Sequence, residues 1–94
     1  MSQKTAAALS RIDVLLPMLG ELPPGPEKDQ LLDAADALRR AVAAFHMEAI
    51  RFRMFTVDRL LRQIDNAGVC RPAFDELRRE LEAAGFHTRS HTAP

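Results

Sequence analysis

The sequence has no tryptophan, no tyrosine and a single cysteine, Cys70. One cysteine cannot form an internal disulfide, which is typical of proteins from a reducing compartment. No apolar run approaches the roughly 18 residues that a membrane-spanning helix needs. The formal net charge is zero, so bulk charge favours neither nucleic acid nor an anionic membrane as a partner. These absences predict a cytoplasmic protein with no membrane partner.

The residues that are present predict an all-α fold. Hydrophobic residues make up 47% of the 94 and charged residues 28%, which are the values of a globular domain. The chain is long enough for one domain, 1–94. β-Branched residues are scattered singly, and no glycine interrupts a periodic stretch, so nothing indicates a strand. The glycines are Gly20, Gly25, Gly68 and Gly85.

Three helices follow from the periodicity and from the positions of proline and glycine. Pro17 should kink or end the first of them. Pro26 and Pro72 suit the first position of the second and third, and Gly85 suits a left-handed C-cap that folds Phe86 back toward Leu81. We expect a helix over about 4–19, a Pro/Gly turn over 20–25, a long helix over about 26–66, a helix over about 72–84 and a frayed tail over 87–94.

The long helix is the main argument for a dimer. A continuous helix of that length would span roughly 60 Å, whereas a globule of this size has a radius of gyration of only about 12 Å. Either the helix breaks near Phe55–Thr56, or another chain covers the overhang. We expect the second outcome, an antiparallel dimeric bundle built on a three-helix chain with one very long central helix.

Two apolar stripes run along this helix with alternating spacings of four and three residues, the pattern of a helical bundle. The first is expected to contact either the first helix or a second copy of the chain, and its centre is predicted to form the dimer interface, at Leu38, Val42, Phe45, Ala49 and Phe52. The second is expected to contact the last helix. The first comprises Leu31, Ala35, Leu38, Val42, Phe45, Ala49, Phe52 and Thr56, and the second Met47, Ile50, Met54, Val57, Leu61 and Ile64.

The function predicted on this basis is that of a small, non-enzymatic accessory or adaptor protein that binds itself and an unknown protein partner. We expect no catalytic residue, no cofactor and no metal. His87 and His91 have the spacing of metal ligands but lie in the tail, and Cys70 lacks a second thiol. Cys70 also has no neighbouring base that would make it a nucleophile.

One alternative is a small all-α enzyme or anion-binding protein. Arg39, His46 and Arg53 are spaced by seven residues, so they would stack along one flank of a continuous helix. Two guanidinium groups with an imidazole between them could hold a carboxylate or a phosphate. In size and composition the chain is also similar to the intertwined helical chorismate mutases, although the Arg, Lys and Glu pattern of that family cannot be placed on it.

A second alternative comes from residues 68–86, which read GVCRPAFDELRRELEAAGF. This segment resembles the turn and recognition helix of winged-helix regulators of the GntR kind. The resemblance implies a DNA-binding regulator using residues 56–86, with Arg71, Arg78 and Arg79 facing the DNA. It requires the long helix to stop near Thr56 and restart. The acidic residues of the segment would repel phosphates, and Cys70 replaces the usual serine.

Overall fold

The computed structural model describes residues 3–86. These residues form helices joined by short turns, with no strand in that range. The all-α class is confirmed, but residues 3–86 form four helices and not three. They are α1 (Gln3–Gly20), α2 (Pro26–Ala43), α3 (Met47–Ile64) and α4 (Arg71–Ala83). The predicted tail, 87–94, lies outside the described residues.

The prediction of one very long central helix is wrong. The segment is broken at residues 44–46, and it is continuous through Phe55 and Thr56, where a break was considered. Phe45 takes a left-handed conformation with φ 59°, which a residue with a side chain rarely adopts. The Phe45 amide donates to the carbonyl of Val42 at 3.1 Å, and the His46 amide donates to that of Ala41 at 3.0 Å. This pair of bonds is a Schellman motif, which normally places glycine where Phe45 stands.

His46 is the N-cap residue of α3. Its backbone is extended, and its imidazole Nδ1 accepts a hydrogen bond from the Ala49 amide at 3.1 Å. That bond satisfies one of the free amide groups at the start of a helix. One helix therefore ends and the next begins within three residues, Ala44 to His46.

The other predicted helix ends are close to those observed. Proline stands in the first turn of both α2 and α4, as expected for Pro26 and Pro72. Gly85 has φ 99°, and the Phe86 amide donates to the Leu81 carbonyl at 2.9 Å, so the predicted cap is confirmed. Pro17 neither ends nor shortens α1, which continues through it to Gly20.

All four helices contribute to one hydrophobic core. Helix α2 packs against α1 and α3, and α4 packs against α1. The predicted second stripe supplies the inward face of α3, where Ile50, Met54 and Val57 are fully buried. The first half of the first stripe supplies the inward face of α2. The fold therefore accommodates the long apolar segment by folding it back, and the length of that segment no longer requires a second chain.

We predict that His46→Ala lowers the free energy of unfolding by about 1 kcal/mol, the usual cost of deleting an N-cap side chain. His46→Asn should recover most of that loss, because asparagine is a strong N-cap residue. Chemical denaturation of the three proteins checks this. Equal stability of all three would contradict a capping role for His46.

Candidate functional site

The solvent-facing side of α3 carries large apolar side chains. Phe52 is 59% exposed and Phe55 is 46% exposed. Glu48 and Arg59 are also exposed and lie on the same line of the helix, since the four residues are spaced by four, three and four. We call this line, Glu48, Phe52, Phe55 and Arg59, the outer face of α3.

Two further exposed apolar side chains, Phe45 and Met47, lie at the start of α3. The rings of Phe45 and the buried Phe86 meet edge to face, with their centroids 5.0 Å apart. On the helix itself, the Arg53 guanidinium lies over the Phe52 ring at 5.1 Å. The core therefore holds the Phe45 ring in place, and the Arg53 cation borders the Phe52 ring.

A second, polar feature lies between α3 and α4. Asp58 of α3 is only 17% exposed and accepts a hydrogen bond from Arg71 Nη1 at 2.7 Å. Arg62 Nη2 lies 3.3 Å and Arg78 Nη2 lies 3.8 Å from the other carboxylate oxygen. One carboxylate therefore holds three guanidinium groups from two helices.

Burial by itself raises the pKa of Asp58, but this effect is outweighed. The hydrogen bonds and the positive charges of Arg71 and Arg62 lower the pKa of Asp58 below its usual range overall. The carboxylate is consequently ionised at neutral pH and acts as the anionic centre of the cluster.

The start of α4 is held in place by its own contacts. The Asp65 carboxylate accepts hydrogen bonds from the amides of Val69 and Cys70 at 3.0 and 2.9 Å. Farther along, Arg71 and Arg78 each place a guanidinium 5.3 Å from the centroid of the buried Phe74 ring. Phe74 therefore supports the arginines that contact Asp58.

The residues predicted to form the dimer interface are divided by the turn at Phe45. Leu38 and Val42 belong to the core of their own chain, Ala49 is half-buried, and Phe52 is exposed. Phe52 and Phe45 thus remain available for a partner. Phe55 was not among the predicted interface residues, although its position three residues after Phe52 indicates that the two share a face.

The residues of the predicted anion-binding flank do not lie along one continuous helix. The turn at residues 44–46 separates Arg39 on α2 from Arg53 on α3. Arg39 donates to Asp13 of α1 at 2.8 Å, and His46 caps α3. Arg53 lies over the Phe52 ring. A seven-residue spacing places side chains on one flank only within a continuous helix. Because the helix is broken, the spacing no longer predicts an anion-binding site at these three residues.

The DNA-binding interpretation requires a helix that stops near Thr56 and restarts. That requirement is not met, because α3 runs through Thr56 without a break. Its three arginines are engaged within the chain. Arg71 and Arg78 form ion pairs with Asp58, and Arg79 pairs with Glu76. Asp58 was not among the predicted site residues, and its i, i+4 relation to Arg62 was the one indication in the sequence that the two side chains interact.

Comparison with known proteins adds no assignment. No protein-family model, no curated protein and no solved structure matches this chain.

Within residues 3–86, no three histidine, cysteine or acidic side chains are grouped so that they could hold a metal ion. Across the same range, every helix is too short or too polar to cross a bilayer.

We predict that Asp58→Asn lowers the free energy of unfolding at neutral pH by about 1–3 kcal/mol, because the arginines lose the charge that holds them together. The folded-state pKa of Asp58 is lowered, so its stabilisation is present above its unfolded value and lost as pH falls through the folded one. The difference between wild type and Asp58→Asn should therefore shrink below about pH 3.9.

Asp36→Asn is the matched control, because Asp36 forms the same i, i+4 pair with Arg40 but is exposed. We expect it to change stability by less than about 0.5 kcal/mol. Denaturation at several pH values measures both variants. Equal losses for Asp58→Asn and Asp36→Asn would contradict a central role for Asp58.

Proposed function

We propose that this chain is a small, non-enzymatic accessory protein that self-associates by pairing the outer face of α3 with the same face of a second copy. The observation that carries the proposal is the order of side chains along that face. It reads acidic, aromatic, aromatic, basic, at Glu48, Phe52, Phe55 and Arg59. This order is complementary to itself when reversed.

Consider two α3 helices packed antiparallel about a point midway between Phe52 and Phe55. Each Phe52 then faces the partner's Phe55, and each Glu48 faces the partner's Arg59. Arg51 faces the partner's Thr56, so the exposed Arg51 meets no like charge. A two-fold axis needs a patch that matches itself in this way. A parallel arrangement would instead place Glu48 against Glu48 and Arg59 against Arg59.

Aromatic burial supplies the affinity in this arrangement. A phenylalanine side chain can bury roughly 150–250 Å², and aromatic pairs add about 0.5–1.5 kcal/mol beyond the area itself. The exposed charged pairs contribute little affinity but favour the antiparallel orientation. Because one 18-residue helix offers a small interface, we expect a dissociation constant on the order of 10 µM.

We predict that light scattering after size exclusion shows the mass rising from one chain toward two as the concentration increases. The double variant Phe52→Ala with Phe55→Ala should remain monomeric while keeping its helical content, since both rings are exposed. Val14→Ala, an exposed apolar position on α1, is the control and should dimerise like wild type. A wild-type chain that stays monomeric up to about 100 µM would contradict the proposal.

A charge exchange tests the orientation separately. Glu48→Arg and Arg59→Glu should each weaken association about tenfold, because each places like charges opposite each other twice in the symmetric dimer. The double variant should recover wild-type affinity, because every pair is again of opposite sign. Sedimentation equilibrium gives the four dissociation constants. Additive weakening in the double variant would indicate a different orientation or an unlike partner.

A further inference from the structure

The turn between α2 and α3 is a short hinge whose central residue disfavours the conformation that it holds. Only Ala44, Phe45 and His46, which we call the hinge, separate the two helices. Phe45 has φ 59°, and the hinge contains none of the residues that usually form turns, such as glycine, proline or asparagine. The sequence has no glycine or proline anywhere from residue 27 to residue 67. Local backbone preference therefore does not keep the hinge closed, and tertiary packing must do so.

The hinge divides the described residues into two halves that depend on each other. The first half is α1 and α2, and the second half is α3 and α4. Helix α2 packs on α3 and α1 packs on α4, so both contacts run between the halves. Arg11 of α1 also lies 3.5 Å from the Glu76 carboxylate and 3.6 Å from that of Glu80 on α4. Each half therefore needs the other to cover its apolar face.

The same contacts form equally well when the two halves belong to different chains. We propose that two copies of this chain exchange halves, so that α1 and α2 of one copy pack on α3 and α4 of the other. The hinge opens in both chains, and Phe45 leaves the left-handed region. Short hinges under strain favour exchange of this kind, because the dimer keeps the core of the monomer and loses the strain.

Concentration selects between the two forms. In the monomer the halves are already linked, which gives them a high effective concentration and favours the closed hinge in dilute solution. At high concentration the exchanged dimer gains by mass action. Conversion between the forms is slow, because the halves have to separate and expose their shared core before they can exchange. The exchange does not depend on the proposed self-association, because Phe52 and Phe55 are exposed and lie outside that core.

Refolding from denaturant at about 1 mM and at about 10 µM, followed by dilution and size exclusion, tests the exchange. The chain used carries Phe52→Ala with Phe55→Ala, so a dimer cannot result from pairing of the outer face of α3. We expect a dimer that forms at the higher concentration only and that persists after dilution. A dissociable wild-type dimer without this persistent form would support the proposed self-association and contradict the exchange.

Isotope-filtered NMR on a dimer of labelled and unlabelled chains identifies the exchanged contacts. We expect contacts of α2 with α3 and of α1 with α4 between the chains, and contacts of α1 with α2 within each chain. A persistent dimer whose α2–α3 contacts lie within one chain would overturn the proposal.

Two substitutions at Phe45 in the same double variant isolate the role of its backbone. Phe45→Ala and Phe45→Gly both remove the ring that contacts Phe86, but only glycine adopts a positive φ without cost. We expect Phe45→Ala to form the exchanged dimer about thirtyfold more tightly than Phe45→Gly, since the cost is relieved once in each chain.

Ala44→Gly is the matched control, because it places a glycine one residue earlier, where φ is −84°. It should leave the fraction of exchanged dimer close to that of its parent chain, since no left-handed strain exists at that position. Equal dimer formation by Phe45→Ala and Phe45→Gly, or a loss in Ala44→Gly as large as that in Phe45→Gly, would overturn the proposal.

Discussion

The left-handed turn at Phe45 decides the arrangement of everything that follows it. Because that residue has φ 59°, the chain reverses after α2, and α3 lies against α2 instead of extending away from it. Because of this reversal, the first half of the first apolar stripe forms the buried face of α2, and the second stripe forms the buried face of α3. It also leaves Phe52 and Phe55 facing solvent and points Asp58 toward α4. Without the turn, neither the apolar nor the charged surface would exist in its present form.

The helix starts near Pro26 and Pro72 and the cap at Gly85 were predictable, because proline and glycine have conformational preferences that act locally. The break at residues 44–46 was not, since the motif at the end of α2 matches the one at Gly85 in its hydrogen bonds but has phenylalanine in place of glycine. Nothing in local propensity favours Phe45 there. A left-handed phenylalanine costs on the order of 1–2 kcal/mol, which tertiary packing must offset.

The functional surfaces were predictable only in part, for the same reason. Phe52 was assigned to an interface, but the seam around it assumed one rigid rod, so Leu38 and Val42 were assigned with it. The flank of Arg39, His46 and Arg53 depended on the same rod. The cluster around Asp58 brings together two helices that are separated in sequence, and single-sequence periodicity carries no information about which helices meet. Its arginines were noticed for a different reason, through the resemblance of residues 68–86 to a DNA-reading helix.

The edge-to-face contact between Phe45 and Phe86 links two helix ends that are far apart along the chain. The unfavourable backbone conformation of Phe45 forms when the turn between α2 and α3 forms. The Phe86 ring can pack against Phe45 only after α4 has docked on α1. The hairpin of α2 and α3 is therefore a poor candidate for an autonomous folding unit, and its closure should be cooperative with the placement of the last helix. Long-range contacts of this kind favour a concerted, all-or-none transition over the stepwise assembly of neighbouring helices.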